Sequence, residues 1–202
     1  MPSARPSVPR PPTEPLSRLP PLEEQVLRSG WRIHREVQAL SRRQHGEGRF
    51  RFDALAGEFP VTYLNLDRHA CYVEVFGDVG EIPPSAAKRR LSRLRAHRLL
   101  RLVALDRAAV QKAFGLDLNI CSTRDYRRTQ SWSCAWRAWY PEADGIRYLG
   151  RHAVEHRNLC LFLDRCGDAL EASFEGTLED LRRDGLIAAH RYSLAPRLFF
   201  VE

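Results

Sequence analysis

The sequence predicts one α+β domain. Three observations lead there. Short apolar stretches of strand type are interspersed with helical stretches, without the regular alternation that builds a parallel sheet. A single composition regime runs along the chain, with no internal repeat. A length of 202 residues with 44% hydrophobic content also suits one core of ordinary size.

The elements follow in order. Residues 1–20, MPSARPSVPRPPTEPLSRLP, are proline-rich and lack the apolar region of a secretory signal. They are expected to form a mobile, polyproline-like leader outside a domain that covers 21–202. PLEEQVLRSG reads as a short helix broken at Ser29-Gly30, followed by a strand around Trp31–His34. The polar loop SRRQHGEG leads to RFRF and then to the strand VTYLNL. Asp67 is placed to cap a helix that carries Glu74, and GDVGEIPPS is a loop by its Gly and Pro content. Between Lys88 and Arg101 stand seven Lys and Arg residues with no acid among them. Leu99–Leu105 at the end of that run reads as a strand, and Asp106 as the cap of the helix RAAVQKAFG. STRD at 122–125 has capping-box spacing. The helix after it sets Trp132, Ala135, Trp136 and Trp139 on one face, a core stripe, until Tyr140-Pro141 ends it. GIRYLG and NLCLFLD read as strands, and TLEDLRRDG as a capped helix stopped by Gly185.

Several function classes lose support at this level. No apolar run approaches the roughly 20 residues of a membrane span. Five scattered cysteines, mostly in apolar surroundings, suit a reduced cytoplasmic protein rather than a disulfide framework. His152, His156 and Cys160 recur at a ligand-like spacing, but the strand character of Leu159–Leu163 breaks the helical alignment, so no metal is expected. A nucleophile elbow and a phosphate-binding loop are both missing. The net charge of +7 is carried almost wholly by arginine, because Lys88 and Lys112 are the only lysines. Anionic partners follow: a phosphorylated small molecule, a nucleic acid or an acidic protein. No aromatics interleave with the Lys88–Arg101 run, which favours a solvated face or a dock for an acidic protein. Nucleic acid is expected only through a partner.

Glu74 poses the sharpest question. It stands between Val73 and Val75, with Tyr72 beside them. A carboxylate in such company must face water, meet a cation or have work to do, since an unpartnered buried charge is costly.

The segments GWRIHR, EGRFRF and VTYLNLDRHACYVEVFGD occur in that order, with DYRRTQ and ADGIRYLGR further on. Together they resemble the RES-domain family over Gly30–Asp164. The resemblance implies an ADP-ribosyltransferase-like split mixed sheet with flanking helices, and a bacterial toxin encoded with an antitoxin, expected to be a helix-turn-helix protein. It implies NAD as substrate, cleaved at the nicotinamide–ribose bond. The family arginine falls on Arg32 and its glutamate on Glu74. A second arginine, in a Gly-Arg-aromatic motif, falls on Arg49, and a strand tyrosine on Tyr63. The implied roles are charge stabilisation at the sugar by Glu74, pyrophosphate binding by Arg32 and Arg49, and stacking by Tyr63. Where the family has a serine, this chain has Gly150. One lost hydroxyl implies an active but slower enzyme, with Gly150→Ser raising turnover a few-fold. The acceptor is left open among phosphate, water and a protein side chain, so an NAD phosphorylase, a glycohydrolase and a protein ADP-ribosyltransferase all stand. A catalytically weakened nucleotide- or partner-binding protein of this fold and a basic nucleic-acid-binding protein are the further alternatives. A homo-oligomer is compatible with the sequence.

Overall fold

The computed structural model describes residues 8–35, 39–40, 48–78 and 82–183. Its strands are β1 (Glu23–Gln25), β2 (Gly30–His34), β3 (Val61–Asn65), β4 (Arg90–Ala96), β5 (Leu100–Ala104), β6 (Gly145–Leu149), β7 (Arg157–Phe162) and β8 (Leu170–Thr177). The helices are α1 (Arg68–Phe76), α2 (Ala108–Ala113), α3 (Asn119–Ser122), α4 (Tyr126–Trp139), α5 (Leu163–Cys166) and α6 (Leu178–Arg183). The strands form one mixed sheet in the order β1-β5-β6-β7-β3-β2-β4-β8. Among the described strands only β5 and β6 run parallel, and α2, α3 and α4 supply the crossover that a parallel pair requires.

The sheet is nearly divided. β2 and β3 pair through Trp31 and Asn65 alone, whereas β2 matches β4 from Gly30 to His34 and β3 matches β7 from Val61 to Asn65. A seam therefore separates β1-β5-β6-β7-β3 from β2-β4-β8, and α1 touches both sides of it. This is the split mixed sheet that the family likeness implied.

Two apolar clusters grip the larger part. β7 sends Cys160 and Phe162 into one and Leu159 and Leu161 into the other, so it is buried on both faces. The first cluster centres on Trp132 and Trp136 of α4, with ring centroids 5.1 Å apart and Phe114 against both. α1 starts where Asp67 accepts the His69 and Ala70 N–H groups, each at 2.8 Å. It buries Ala70, Cys71, Tyr72, Val73 and Phe76 and leaves Glu74 half-buried.

Several local expectations gave way to longer-range contacts. From Val8 onward the proline-rich segment is not outside the fold: Val8 is only 3% exposed, and Leu16, Leu19 and Leu22 pack against the tryptophan cluster. Extended proline-rich chain has no internal hydrogen bonds. Its carbonyls are thus free to accept from Trp132 Nε1 at Pro9 (2.8 Å) and from the Tyr140 hydroxyl at Pro20 (2.7 Å). Glu23–Gln25 is an edge strand on β5 rather than a helix, because so short a helix is costly to nucleate while the ladder is ready-made. Asp106 does not cap α2. Its side chain has no exposed surface and binds Arg147 Nε at 2.9 Å and Arg157 Nε at 2.7 Å. Asp125, not Ser122, caps α4. α6 is capped by Thr177 and Asp180, and Gly185 lies outside the described residues.

The basic run proves to be no single face. Arg95 pairs with Glu171 and Arg98 with Asp144, while Arg89 lies over Phe76 and Arg90 over Phe174. Strand alternation disperses these charges, and the protein's own acids and rings take up several of them.

Candidate active site

Two of the singled-out residues stand on the strands that flank the seam, Arg32 on β2 and Tyr63 on β3, and Glu74 lies on α1, which touches both strands. Arg32 projects from β2 and donates from Nη1 to Thr62 Oγ1 of β3 at 2.9 Å and to the Ala39 carbonyl. It thereby bridges the two halves of the sheet at the place where backbone pairing fails.

On β3, Tyr63 is partly buried and packs against the tryptophan cluster. The hydroxyl donates to Asp53 Oδ1 at 2.8 Å and accepts the Phe52 N–H at 2.9 Å. Burial, with Cys160 and Asp53 nearby, pushes this phenol well above its ordinary value. Tyr63 is therefore a neutral pin whose hydroxyl is already committed, with Phe50 edge-on to its ring at 5.8 Å.

Arg49 belongs to the segment that Tyr63 pins. Asp53 Oδ2 accepts the N–H groups of Arg49 and Phe50, each at 2.9 Å. From α4, Gln130 donates to the carbonyls of Gly48 and Phe50, Thr129 to that of Arg51 and Ser133 to that of Phe52. The backbone is clamped along its length. The Arg49 side chain is exposed and makes no ion pair among the described residues.

The question about Glu74 has a geometric answer. Its Oε1 accepts the N–H groups of His152 (2.8 Å) and Ala153 (2.9 Å), and its Oε2 that of Arg151 (3.1 Å). Three successive N–H groups converging on one point form an anion-holding nest, and the protein's own carboxylate fills it. Gly150 makes this closure feasible. A Cβ there would lie 2.5 Å from Glu74 Oε1 and 2.5 Å from the Ala153 carbonyl oxygen. The expected gain from Gly150→Ser is thus corrected: no space exists for the serine Cβ while the carboxylate sits in its nest. Beside the nest, Asp78 pairs with Arg124 at 3.0 Å and Arg151 at 3.1 Å.

Sequence reasoning missed Arg51 and the polar side chains of α4. RFRF alternates like a strand, which would send Arg49 and Arg51 to the same side. The segment is a turn instead, so Arg49 points outward while Arg51 is only 8% exposed. The signal for Thr129, Gln130 and Ser133 was present as polar residues set beside the tryptophan stripe. Among the described residues, no group of three or more His, Cys, Asp or Glu side chains is placed to hold a metal.

A family model for the RES domain matches residues 29–184. The chain belongs to the RES-domain family. Among solved structures, this RES domain is similar to a chain of the M. tuberculosis MbcT–MbcA toxin–antitoxin complex. The TM-score is 0.59 at 19% identity, covering 81% of this chain and 91% of that one. A search of curated proteins finds no match. In this RES domain no helix among the described residues is long and apolar enough to cross a membrane.

Proposed function

We propose that this RES domain is an NAD-consuming toxin that works at the β2–β3 seam and is held in check by an antitoxin. The observation that carries the reading is the Glu74 carboxylate, fixed by three backbone N–H groups. A carboxylate offers about four lone-pair sites, so one remains for a ribose hydroxyl or for positive charge developing on the sugar.

The chemistry suits such a site. When the C1′–N bond of the nicotinamide riboside breaks, its electron pair neutralises the pyridinium nitrogen. Nicotinamide leaves neutral, so no general acid has to protonate it. What the transition state needs is a fixed negative charge near an oxocarbenium-like sugar, and Glu74 can supply it. A new C1′–O bond then forms to phosphate or water, and the acceptor's proton passes to solvent. Arg32 is suited to the substrate side of the seam and Arg49, exposed on a clamped backbone, to its rim, each toward the pyrophosphate. Tyr63, with its hydroxyl already engaged, is suited to offer its ring rather than a hydrogen bond. Gly150 contributes space and not a ligand.

The likeness to the MbcT–MbcA complex supports an antitoxin as partner. The test is to incubate the purified protein with NAD, with and without inorganic phosphate, and follow nicotinamide release and the ribosyl product. ADP-ribose 1″-phosphate marks a phosphorylase, ADP-ribose a glycohydrolase and labelled protein an ADP-ribosyltransferase. Absence of nicotinamide release in every arm defeats the reading. A second reading, a nucleotide binder that no longer turns NAD over, is favoured by the engagement of both Glu74 oxygens with the loop. Its signature is NAD binding without nicotinamide release.

A further inference from the structure

We propose that Arg51, which the family likeness does not assign, is an oxyanion-binding residue of this site that receives a phosphate group from the dinucleotide or as free phosphate. The first ground is its partners. Arg51 is 8% exposed, yet no carboxylate pairs with it among the described residues. Nη1 donates to the Thr123 carbonyl at 2.6 Å, and the guanidinium lies over the Tyr126 ring at 5.5 Å. Those contacts orient the group without neutralising it.

The same protein shows what a structural buried arginine looks like. Arg147, whose side chain is 5% exposed, is matched by Glu23 and Asp106. Arg51 departs from that pattern. Its Nε and Nη2, the edge that forks onto an oxyanion, are not among the sealed polar atoms that lack a partner. Donors that are neither satisfied nor sealed suit a ligand.

Position is the second ground. Thr123, which holds Arg51, adjoins Arg124, and Arg124 reaches through Asp78 to Arg151 beside the Glu74 nest. The Tyr148 phenol, raised chiefly by burial, feels Arg51 and Glu74 in opposite senses, so both charges act on the same buried group. Rigidity is the third. The Arg51 carbonyl is held by Thr129, and the N–H of the next residue by Tyr63, so little ordering is left to binding. A phosphate on Arg51 would tether the substrate while Glu74 faces the sugar.

The dinucleotide source rests on the NAD reading; the free-phosphate source does not. Arg51→Gln removes the charge, and Arg51→Lys keeps the charge but loses the fork. Wild type and both variants are compared by calorimetry with NAD, by the phosphate dependence of nicotinamide release, and by urea unfolding. If the dinucleotide supplies the anion, NAD affinity falls about tenfold or more in Arg51→Gln, with partial recovery in Arg51→Lys. If free phosphate supplies it, NAD affinity holds and the KM for phosphate rises by that factor. A folded Arg51→Gln that leaves both quantities unchanged overturns the assignment while the NAD reading stands. Wild type that binds neither NAD nor phosphate removes both ideas. Failure of both variants to fold makes Arg51 a structural cation and overturns the proposal too.

Discussion

Gly150 and Glu74 share one small volume, since a Cβ at position 150 would stand 2.5 Å from Glu74 Oε1. The Ala153 carbonyl oxygen, equally close, is backbone and cannot swing aside. Gly150→Ala and Gly150→Ser should therefore destabilise the fold by about 1–3 kcal/mol, as overpacking does elsewhere. Both should also slow nicotinamide release, because the carboxylate is pushed from its nest. Urea unfolding and an NAD assay on the two variants check this. Faster turnover in the serine variant would mean that the working loop is open.

Glu74→Gln should separate clamp from chemistry. The amide oxygen can still accept from His152 and Ala153, but the NH2 group would face the Arg151 N–H, donor against donor. That contact should cost about 1–3 kcal/mol of stability, and loss of the charge about 10²–10³ in turnover. Hydrogen exchange at residues 151–153, measured beside NAD turnover, tells the two apart. Faster exchange with intact turnover would make Glu74 a clamp and nothing more.

Asp106→Asn tests the buried ion cluster. Asp106 is sealed, and Arg147 depends on it and on Glu23. Breaking such a pair should cost about 3–5 kcal/mol, and Arg147→Met in the same chain should restore part of the loss. A denaturant series on the single and double variants gives the coupling. Additive losses would show that the two side chains do not act as a pair.

Alkaline pH should unfold the protein early. Burial raises the thiols of Cys71 and Cys166 from 9.0 to about 12 and that of Cys121 to about 11. The phenols of Tyr72 and Tyr140 rise from 10.0 to about 12 for the same reason. The unfolded chain releases these protons first, so above the ordinary values it binds fewer protons than the native state and stability falls as pH rises. The contribution is complete below about pH 9 and is lost on the way to about pH 12. Urea midpoints measured from about pH 8 to about pH 11 should fall steadily; a flat profile would contradict the burial of these groups.

What the sequence revealed was local. The Asp67 cap, the α4 stripe and the strands around Tyr63, Ile146 and Leu161 were legible, because caps and periodicity depend on near neighbours. The order of motifs also set Arg32 and Tyr63 on the two strands of the seam and Glu74 on the helix that touches both. β1 was not legible, since its reason to extend is a partner strand at Leu100–Leu102. Asp106 stood in a good capping position and was drawn away by two distant arginines. Arg51 could not be told from Arg49 without knowing that the chain turns there, and the need for glycine at 150 is set by a helix far earlier in the chain.

The docking of residues 8–22 bears on how the protein comes off the ribosome. Pro9 meets Trp132, 123 positions later, and Pro20 meets Tyr140, 120 positions later. At typical synthesis rates the strap waits on the order of 10 s for the helix that receives it. For the same interval the Gly48–Phe52 segment lacks Thr129, Gln130 and Ser133, and β3 has no β7 beside it. A partial chain therefore carries the first residues of the site without the frame that shapes them. Whatever this seam does, it begins only late in the life of each nascent chain.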